Sequence, residues 1–255
     1  MTVATDPLVL HPSATGAAWG GTKPTATAAP ASAATLPTAW LPFTVTRVRN
    51  EDDLLAAVSV RHAAYARHVP TLARQLQAPE PADLVADTVI LLARSKLDGS
   101  PLGSMRFQTN ASGPLPLEHS VTLPYQLAQR RLAEATRLGV APSAEGRLVK
   151  MALFKAFYLH CRNAGVDEMV IASRSPLDRH YRQLQFVDVF EPGFQVLLRH
   201  AANLPHAILR FDVAGAYQRW CATRHPLTDF MCHTAHPDLL GVGVGREAAA
   251  PSARH

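Results

Sequence analysis

The residues best equipped for chemistry lie in three short segments. In Leu132–Val140 (LAEATRLGV), Glu134 and Arg137 interrupt a β-rich apolar run. In Asp178–Phe186 (DRHYRQLQF), Tyr181 stands three residues before Leu184. In Arg61–Tyr65 (RHAAY), a guanidinium and a phenol lie one helical turn apart. A carboxylate within hydrogen-bond reach of a nucleophile can remove its proton, and a phenol can supply one. A guanidinium grips a carboxylate through two parallel hydrogen bonds. Each residue has a plainer reading as well. Glu134 fits a surface strand position, and Tyr181 fits an amphipathic core position. Arg61 on a helix fits a salt bridge, for instance with Asp87. Phe154, Phe157 and Tyr158 fit core packing or the wall of a tunnel, which share one composition.

The elements that must position these groups follow from pattern. Phe43–Val48 alternates as a strand. Asn50 can cap a helix that opens on Glu51, Asp52 and Asp53, acids suited to its positive end, and that stops near Pro70. Val85–Ala93 and Leu102–Gln108 read as strands around the hairpin signal Asp98-Gly99. A short helix is expected at Pro124–Arg131, then a strand at Leu132–Val140. In Arg147–Asn163, Met151, Phe154, Phe157 and Cys161 recur at helical spacing, and Gly165 is placed to end the helix. Val166–Ala172 reads as a buried strand, Pro176–Leu184 as a helix, and Phe186–Phe190 as the start of a strand. Ile208–Val213 and Ala214–Thr223 close the order as strand and helix. That alternation predicts one α/β domain over residues 41–240. Residues 1–40, rich in Ala, Thr and Pro, and 241–255 are expected to be disordered tails.

Composition narrows the classes. At 47% hydrophobic and 18% charged, the 255-residue chain reads as an ordinary soluble protein. A formal charge of +5 favours an acidic partner without identifying it. The basic residues are dispersed and form no nucleic-acid module, so no nucleic acid is expected as partner. No apolar run is long enough for a transmembrane segment, and no signal peptide opens the chain. The 3 cysteines form no disulfide framework, which predicts a cytoplasmic location. Cys221, His225, Cys232, His233 and His236 lack the spacing of metal-ligand arms, so no metal is expected. There is no HExxH, Walker, GxGxxG or GxSxG motif.

Together the segments resemble the GNAT acyltransferase superfamily. That resemblance implies a mixed, mostly antiparallel central sheet with splayed strands, flanked by helices. It matches Glu134–Phe157 to the strand-loop-helix that cradles an acyl donor at a helix N-terminus, where free N–H groups and the helix dipole attract phosphate. It also matches Tyr181 to the tyrosine that faces the donor sulfur. Arg61-His62-Ala63-Ala64-Tyr65, Asp83 and Asp87, and Glu134-Ala135-Thr136-Arg137-Leu138 are further similar to acyl-homoserine-lactone synthases. PLGSMRF, PLPLEHSVTLP, EATRLGV, VKMALFKAFYLHC and DRHYRQLQF resemble the N-acyl amino acid synthases known from environmental DNA. The chain departs from lactone synthases at Tyr65, Thr136 and Leu138, and no tryptophan follows Tyr65 closely.

This resemblance implies transfer of a fatty acyl group from the phosphopantetheine of an acyl carrier protein to the amine of an amino acid, with no cofactor. Glu134 would be the base and Tyr181 the group beside the leaving thiolate. Tyr65 and Asp87 would belong to the substrate side, and Arg61, Arg106 and Arg137 are the candidates for the substrate carboxylate. Backbone N–H groups near Leu138–Val140 would stabilise the oxyanion. The loop Ala141–Leu148 has one glycine and a glutamate, a poor cradle for the pyrophosphate of coenzyme A. Coenzyme A therefore stands second to a carrier protein, which Arg147, Lys150 and Lys155 are placed to meet. Strand geometry adds a condition: Glu134 and Arg137 point to opposite faces of a regular strand and share a site only across a bulge. The alternatives are a lactone-type synthase using S-adenosylmethionine, a coenzyme A acetyltransferase, and a non-catalytic acyl- or carrier-binding module.

Overall fold

The computed structural model describes residues 36–241. Most of both expected tails lies outside the described residues. Within the expected first tail, Ala39 N–H donates to Ala235 O at 2.9 Å, and Ala235 N–H donates to Pro37 O at 2.7 Å.

An open mixed sheet forms the centre. Its strands are β1 (Phe43–Arg47), β2 (Val89–Ser95), β3 (Pro101–Thr109), β4 (Leu132–Val140), β5 (Glu168–Ser173), β6 (Val187–Asp188), β7 (Val196–Leu198), β8 (Leu204–Asp212) and β9 (Leu239–Leu240). Their order is β6-β8-β5-β4-β3-β2-β1-β9, with β7 against β8. Neighbours are antiparallel except β4 with β5 and β1 with β9. The helices are α1 (Glu51–His68), α2 (Pro70–Ala73), α3 (Tyr125–Ala128), α4 (Gly146–Asn163), α5 (Leu177–Gln183) and α6 (Ala216–Ala222).

Local chemistry sets the ends of the long helices. Asn50 caps α1 by accepting from Asp53 N–H at 2.8 Å. Gly165, with φ at 67°, turns the chain out of α4 into β5. Each long helix lies on one face of the sheet, and each meets it at a glycine. A Cβ on Gly103 of β3 would stand 2.6 Å from Val149 of α4. A Cβ on Gly139 of β4 would stand 2.9 Å from the Cα of Arg61 in α1. Gly139 thus seats α1 on the sheet and fixes where Arg61 starts.

The two faces are packed differently. Beneath α4 lies the main core, with Phe107, Leu153, Phe157, Met169, Phe211 and Trp220. On the α1 face a smaller leucine-rich cluster joins Leu72, Leu76, Leu115, Leu117, Leu132 and Leu198. Several elements differ from sequence expectation. The first hairpin strand starts at Val89 rather than Val85, because residues before it form a short 3-10 turn at Pro81–Asp83 and a loop. The helix expected over Pro124–Arg131 is confined to α3. The strand expected over Phe186–Phe190 pairs only at Val187 and Asp188.

Candidate active site

The centre of the sheet opens at β4. Pairing with β5 runs from Leu132↔Glu168 to Ala135↔Ile171 and ends there, while both strands continue. On the other edge, Ser104 pairs with Gly139 and Arg106 with Thr136, so β4 carries one extra residue between them. Arg137 takes it up with φ at 55°. This is the bulge that the sequence requires if Glu134 and Arg137 are to share a face. The left-handed conformation at a non-glycine is a local cost that the surrounding ion pairs hold in place.

Those ion pairs form a buried cluster under α1. Arg61 donates to both oxygens of Asp83, at 3.0 and 2.6 Å. Arg106 reaches Glu80 at 3.1 Å, Asp83 at 3.0 Å and Thr136 at 3.1 Å. Arg137 grips Glu80 at 2.8 and 2.7 Å and donates to His200 O at 2.6 Å. Glu80 and Asp83 also tie their own turn together, Glu80 N–H donating to Asp83 at 2.8 Å. Burial opposes ionisation of Glu80 and Asp83, but the arginine hydrogen bonds and charges outweigh it and lower both pKa values. Three guanidiniums face two carboxylates, which leaves one positive charge over. The partner of Arg61 is Asp83, not Asp87: the latter is exposed at the mouth of a cavity of about 700 Å3 lined by Glu80, Arg106, Arg137, Arg199 and His200.

Glu134 lies beside this cluster, completely buried. Its Oε2 accepts from Leu117 N–H at 3.0 Å, while Oε1 has no hydrogen-bond partner and stands 3.8 Å from His200 Nε2. Burial pushes its pKa up to about 8, against the pull of the Leu117 N–H and Arg106. Burial and the nearby guanidiniums of Arg137 and Arg106 push His200 down to about 4. A carboxyl that titrates near 8 is matched to a proton exchange with an amine.

A second cavity, of about 600 Å3, fills the gap between β4 and β5. Leu138 and Val140 form part of its wall, Phe154 and Phe157 its apolar floor, and Arg147 and Lys150 at the start of α4 its rim. Tyr65 and Tyr181 both line it, and burial raises the pKa of each. Tyr181 packs edge-on to Phe186 on the α4 face, whereas Glu134 is enclosed on the α1 face. The structure therefore brings Glu134 together with the arginines, and Tyr181 together with Leu138, Val140, Arg147 and Lys150. Arg137 lines both cavities and joins the two groups. Lys155 corrects the sequence expectation. Its side chain is buried and donates to Phe230 O and Thr234 O, each at 2.6 Å, so it faces the C-terminal segment rather than a carrier.

Sequence reasoning missed Glu80, Arg199 and His200. Glu80 had a signal, since Glu80-x-x-Asp83 repeats the acid spacing of a capping turn. His200 had none, because only the pairing of β7 and β8 brings it to β4. Among the described residues no group of His, Cys, Asp and Glu can hold a metal ion, and no helix is long and apolar enough to cross a membrane.

Known proteins share this fold. The family model described as "N-acyl amino acid synthase FeeM" matches residues 56–210. No curated protein matches. The solved structure of FeeM, an N-acyl amino acid synthase from uncultured soil microbes, superposes with a TM-score of 0.53 at 14% identity, over 74% of this chain and 97% of that one. The coenzyme A-dependent acyl-homoserine lactone synthase BjaI gives 0.51 at 19% identity, over 76% and 93%. A putative GNAT-family acetyltransferase from Desulfovibrio desulfuricans gives 0.47 at 17%, over 67% and 99%. With a strand-splayed GNAT sheet and a family match across most of it, this chain is an acyltransferase and belongs to the N-acyl amino acid synthase FeeM family.

Proposed function

We propose that the protein transfers a long-chain fatty acyl group from the thioester of an acyl carrier protein to the α-amine of an amino acid. The observation that carries this reading is the pair of cavities that share Arg137 as a wall. One opens between parting strands over the apolar floor of Phe154 and Phe157, with Arg67, Arg147, Lys150 and Arg174 also lining it; the other sets Arg106, Arg137 and Arg199 beside Glu80 and Asp87. An N-acyl amino acid has the matching halves, a greasy chain and a carboxylate.

The acceptor binds in the charged cavity. Its carboxylate offsets the surplus charge of the arginine cluster, with Arg106 and Arg137 as the guanidiniums that reach this cavity. Arg61 holds Asp83 behind them and does not line it. Asp87 and Arg199 stand at the cavity wall. The acceptor's ammonium must lose a proton before it can attack, and Glu134 is the base. The donor lies in the cleft, its carbonyl at the splay, where the backbone N–H groups near Leu138–Val140 meet the developing oxyanion. Tyr181 keeps its proton at neutral pH and donates to the leaving thiolate, whose intrinsic pKa is about 8.5. The phosphopantetheine phosphate meets the start of α4, and Arg147 and Lys150, both exposed, face an acidic carrier. The domain acting in this way spans residues 41–240.

Product analysis tests the proposal. Purified protein is given lauroyl and palmitoyl thioesters, each on carrier protein or on coenzyme A, with either mixed amino acids or S-adenosylmethionine. Mass spectrometry should find N-acyl amino acids formed fastest from the carrier thioester. Lactone as the only product would overturn the acceptor, and equal rates from coenzyme A would overturn the carrier.

A further inference from the structure

We propose that His200 is a catalytic residue that takes the proton from the acceptor's ammonium in the charged cavity and passes it to Glu134. This rests on the reading of Glu134 as base and supplies what that reading lacks. Glu134 is sealed: it lines neither cavity and has no exposed surface. An amine in the charged cavity cannot touch it directly. His200 spans the gap. It lines that cavity with 20% of its side chain exposed, and its Nε2 is 3.8 Å from the unpartnered Oε1 of Glu134.

The position of His200 is fixed from both sides. Its carbonyl accepts from Arg137 at 2.6 Å. After it the chain turns through Ala202 and Asn203, both left-handed at φ 56° and 53°, a conformation that alanine adopts only when its surroundings impose it. The groups that act on the ring are Arg137 and Glu134 from β4, Arg106 from β3, His206 from β8 and the Pro116 backbone. Burial and the arginines keep the ring neutral, and with the hydrogen on Nδ1, which is buried and has no hydrogen-bond partner, Nε2 carries a free lone pair.

One ammonium N–H bond breaks, and its proton joins Nε2. The amine retains the electron pair and attacks the thioester carbonyl. The imidazolium ring then turns its new Nε2–H from the cavity to Glu134, the 3.8 Å separation closing as the imidazolium and the carboxylate attract, and the proton moves to Oε1. His200 is neutral again. The second amine proton lost when the tetrahedral adduct collapses goes to the thiolate, which leaves as thiol.

The test compares His200→Ala and Glu134→Gln, assayed with acyl carrier thioester and amino acid. The account predicts that His200→Ala lowers kcat at least about 100-fold with an unchanged thermal midpoint. Added imidazole should recover at least about tenfold, with a rate that tracks the basicity of substituted imidazoles, and should recover nothing in Glu134→Gln. His200→Ala within threefold of wild type, beside an inactive Glu134→Gln, overturns the relay and leaves the base reading intact. Full activity of Glu134→Gln overturns the base reading itself. A folded, inactive His200→Ala that no imidazole rescues also overturns the relay. In wild-type protein labelled with 15N-histidine, saturating amino acid should shift the His200 Nε2 resonance. No shift overturns the proposal even if the variants do not fold.

Discussion

The two sides of β4 use charge in opposite ways. On the α1 side, Arg61, Arg106 and Arg137 are buried and held by Glu80 and Asp83, Arg61 and Arg137 in two-pronged contacts and Arg106 through one nitrogen shared between the two carboxylates. On the cleft side, Arg147 and Lys150 are exposed and have no carboxylate partner among the described residues. Each kind of charge suits its place. A buried cluster is rigid and presents one surplus charge at a defined point, but it depends on every partner. An exposed rim costs little, attracts a large acidic partner from a distance, and is screened by salt.

Removing the proton acceptor should have the largest effect. Glu134→Gln is expected to lower kcat by roughly 100- to 10,000-fold. The same change should stabilise the fold at alkaline pH. The folded pKa of about 8 lies above the unfolded value of about 4.5. Between those values the folded state holds a proton that the unfolded chain has lost, so wild-type stability falls as pH rises through that window. The thermal midpoint of Glu134→Gln should overtake that of wild type increasingly between pH 5 and pH 8. An active Glu134→Gln protein, or a midpoint difference independent of pH, would contradict this.

Breaking the buried side comes next. Asp83→Ala strips Arg61 of its two-pronged partner and should cost about 3–5 kcal/mol in chemical denaturation. A cost near that of a surface ion pair, below about 1 kcal/mol, would show that the cluster is not closed to water.

The pH profile then sharpens the role of Glu134. With the ionisation of the acceptor itself divided out, kcat/KM should fall about tenfold per pH unit below roughly 8 and level off above it. A profile flat from pH 6 to 9 would remove Glu134 as the titrating base.

Gly139→Ala tests the seat of α1. The added Cβ meets Arg61 Cα at 2.9 Å and Ala64 Cβ at 3.2 Å, so α1 must shift. Overpacking of this kind costs about 1–3 kcal/mol, and KM for the amino acid should rise more than KM for the donor. The smallest effect belongs to the exposed rim. Arg147→Glu with Lys150→Glu should raise KM for an acyl carrier protein several-fold at low salt and leave a small thioester donor unaffected. Equal effects on both donors would place the carrier elsewhere.

Much of the framework was legible because it rests on local signals. Asn50, the Asp98-Gly99 turn and Gly165 each mark a boundary by their own conformational chemistry, and β4 spans Leu132–Val140 as its apolar pattern requires. The two-residue β9 was hidden, because only a neighbouring strand makes it one, and β6 was legible only as a longer strand over Phe186–Phe190. The same division runs through the site. Glu134, Tyr181 and the arginines stood out by type, yet their grouping depended on a bulge that no residue at position 137 advertises. Arginine there gives no glycine-like signal for a positive φ. Lys155 read as one more cation near the loop, since helical phase alone does not reveal that the C-terminal segment folds over it.

A crystal structure of the protein with an N-acyl amino acid bound would locate both halves of the product at once. The account predicts the acyl chain in the cleft between β4 and β5, the amide at the splay, and the carboxylate beside Arg106 and Arg137 in the charged cavity. A chain lying in the charged cavity, or a carboxylate at the rim formed by Arg147 and Lys150, would contradict it.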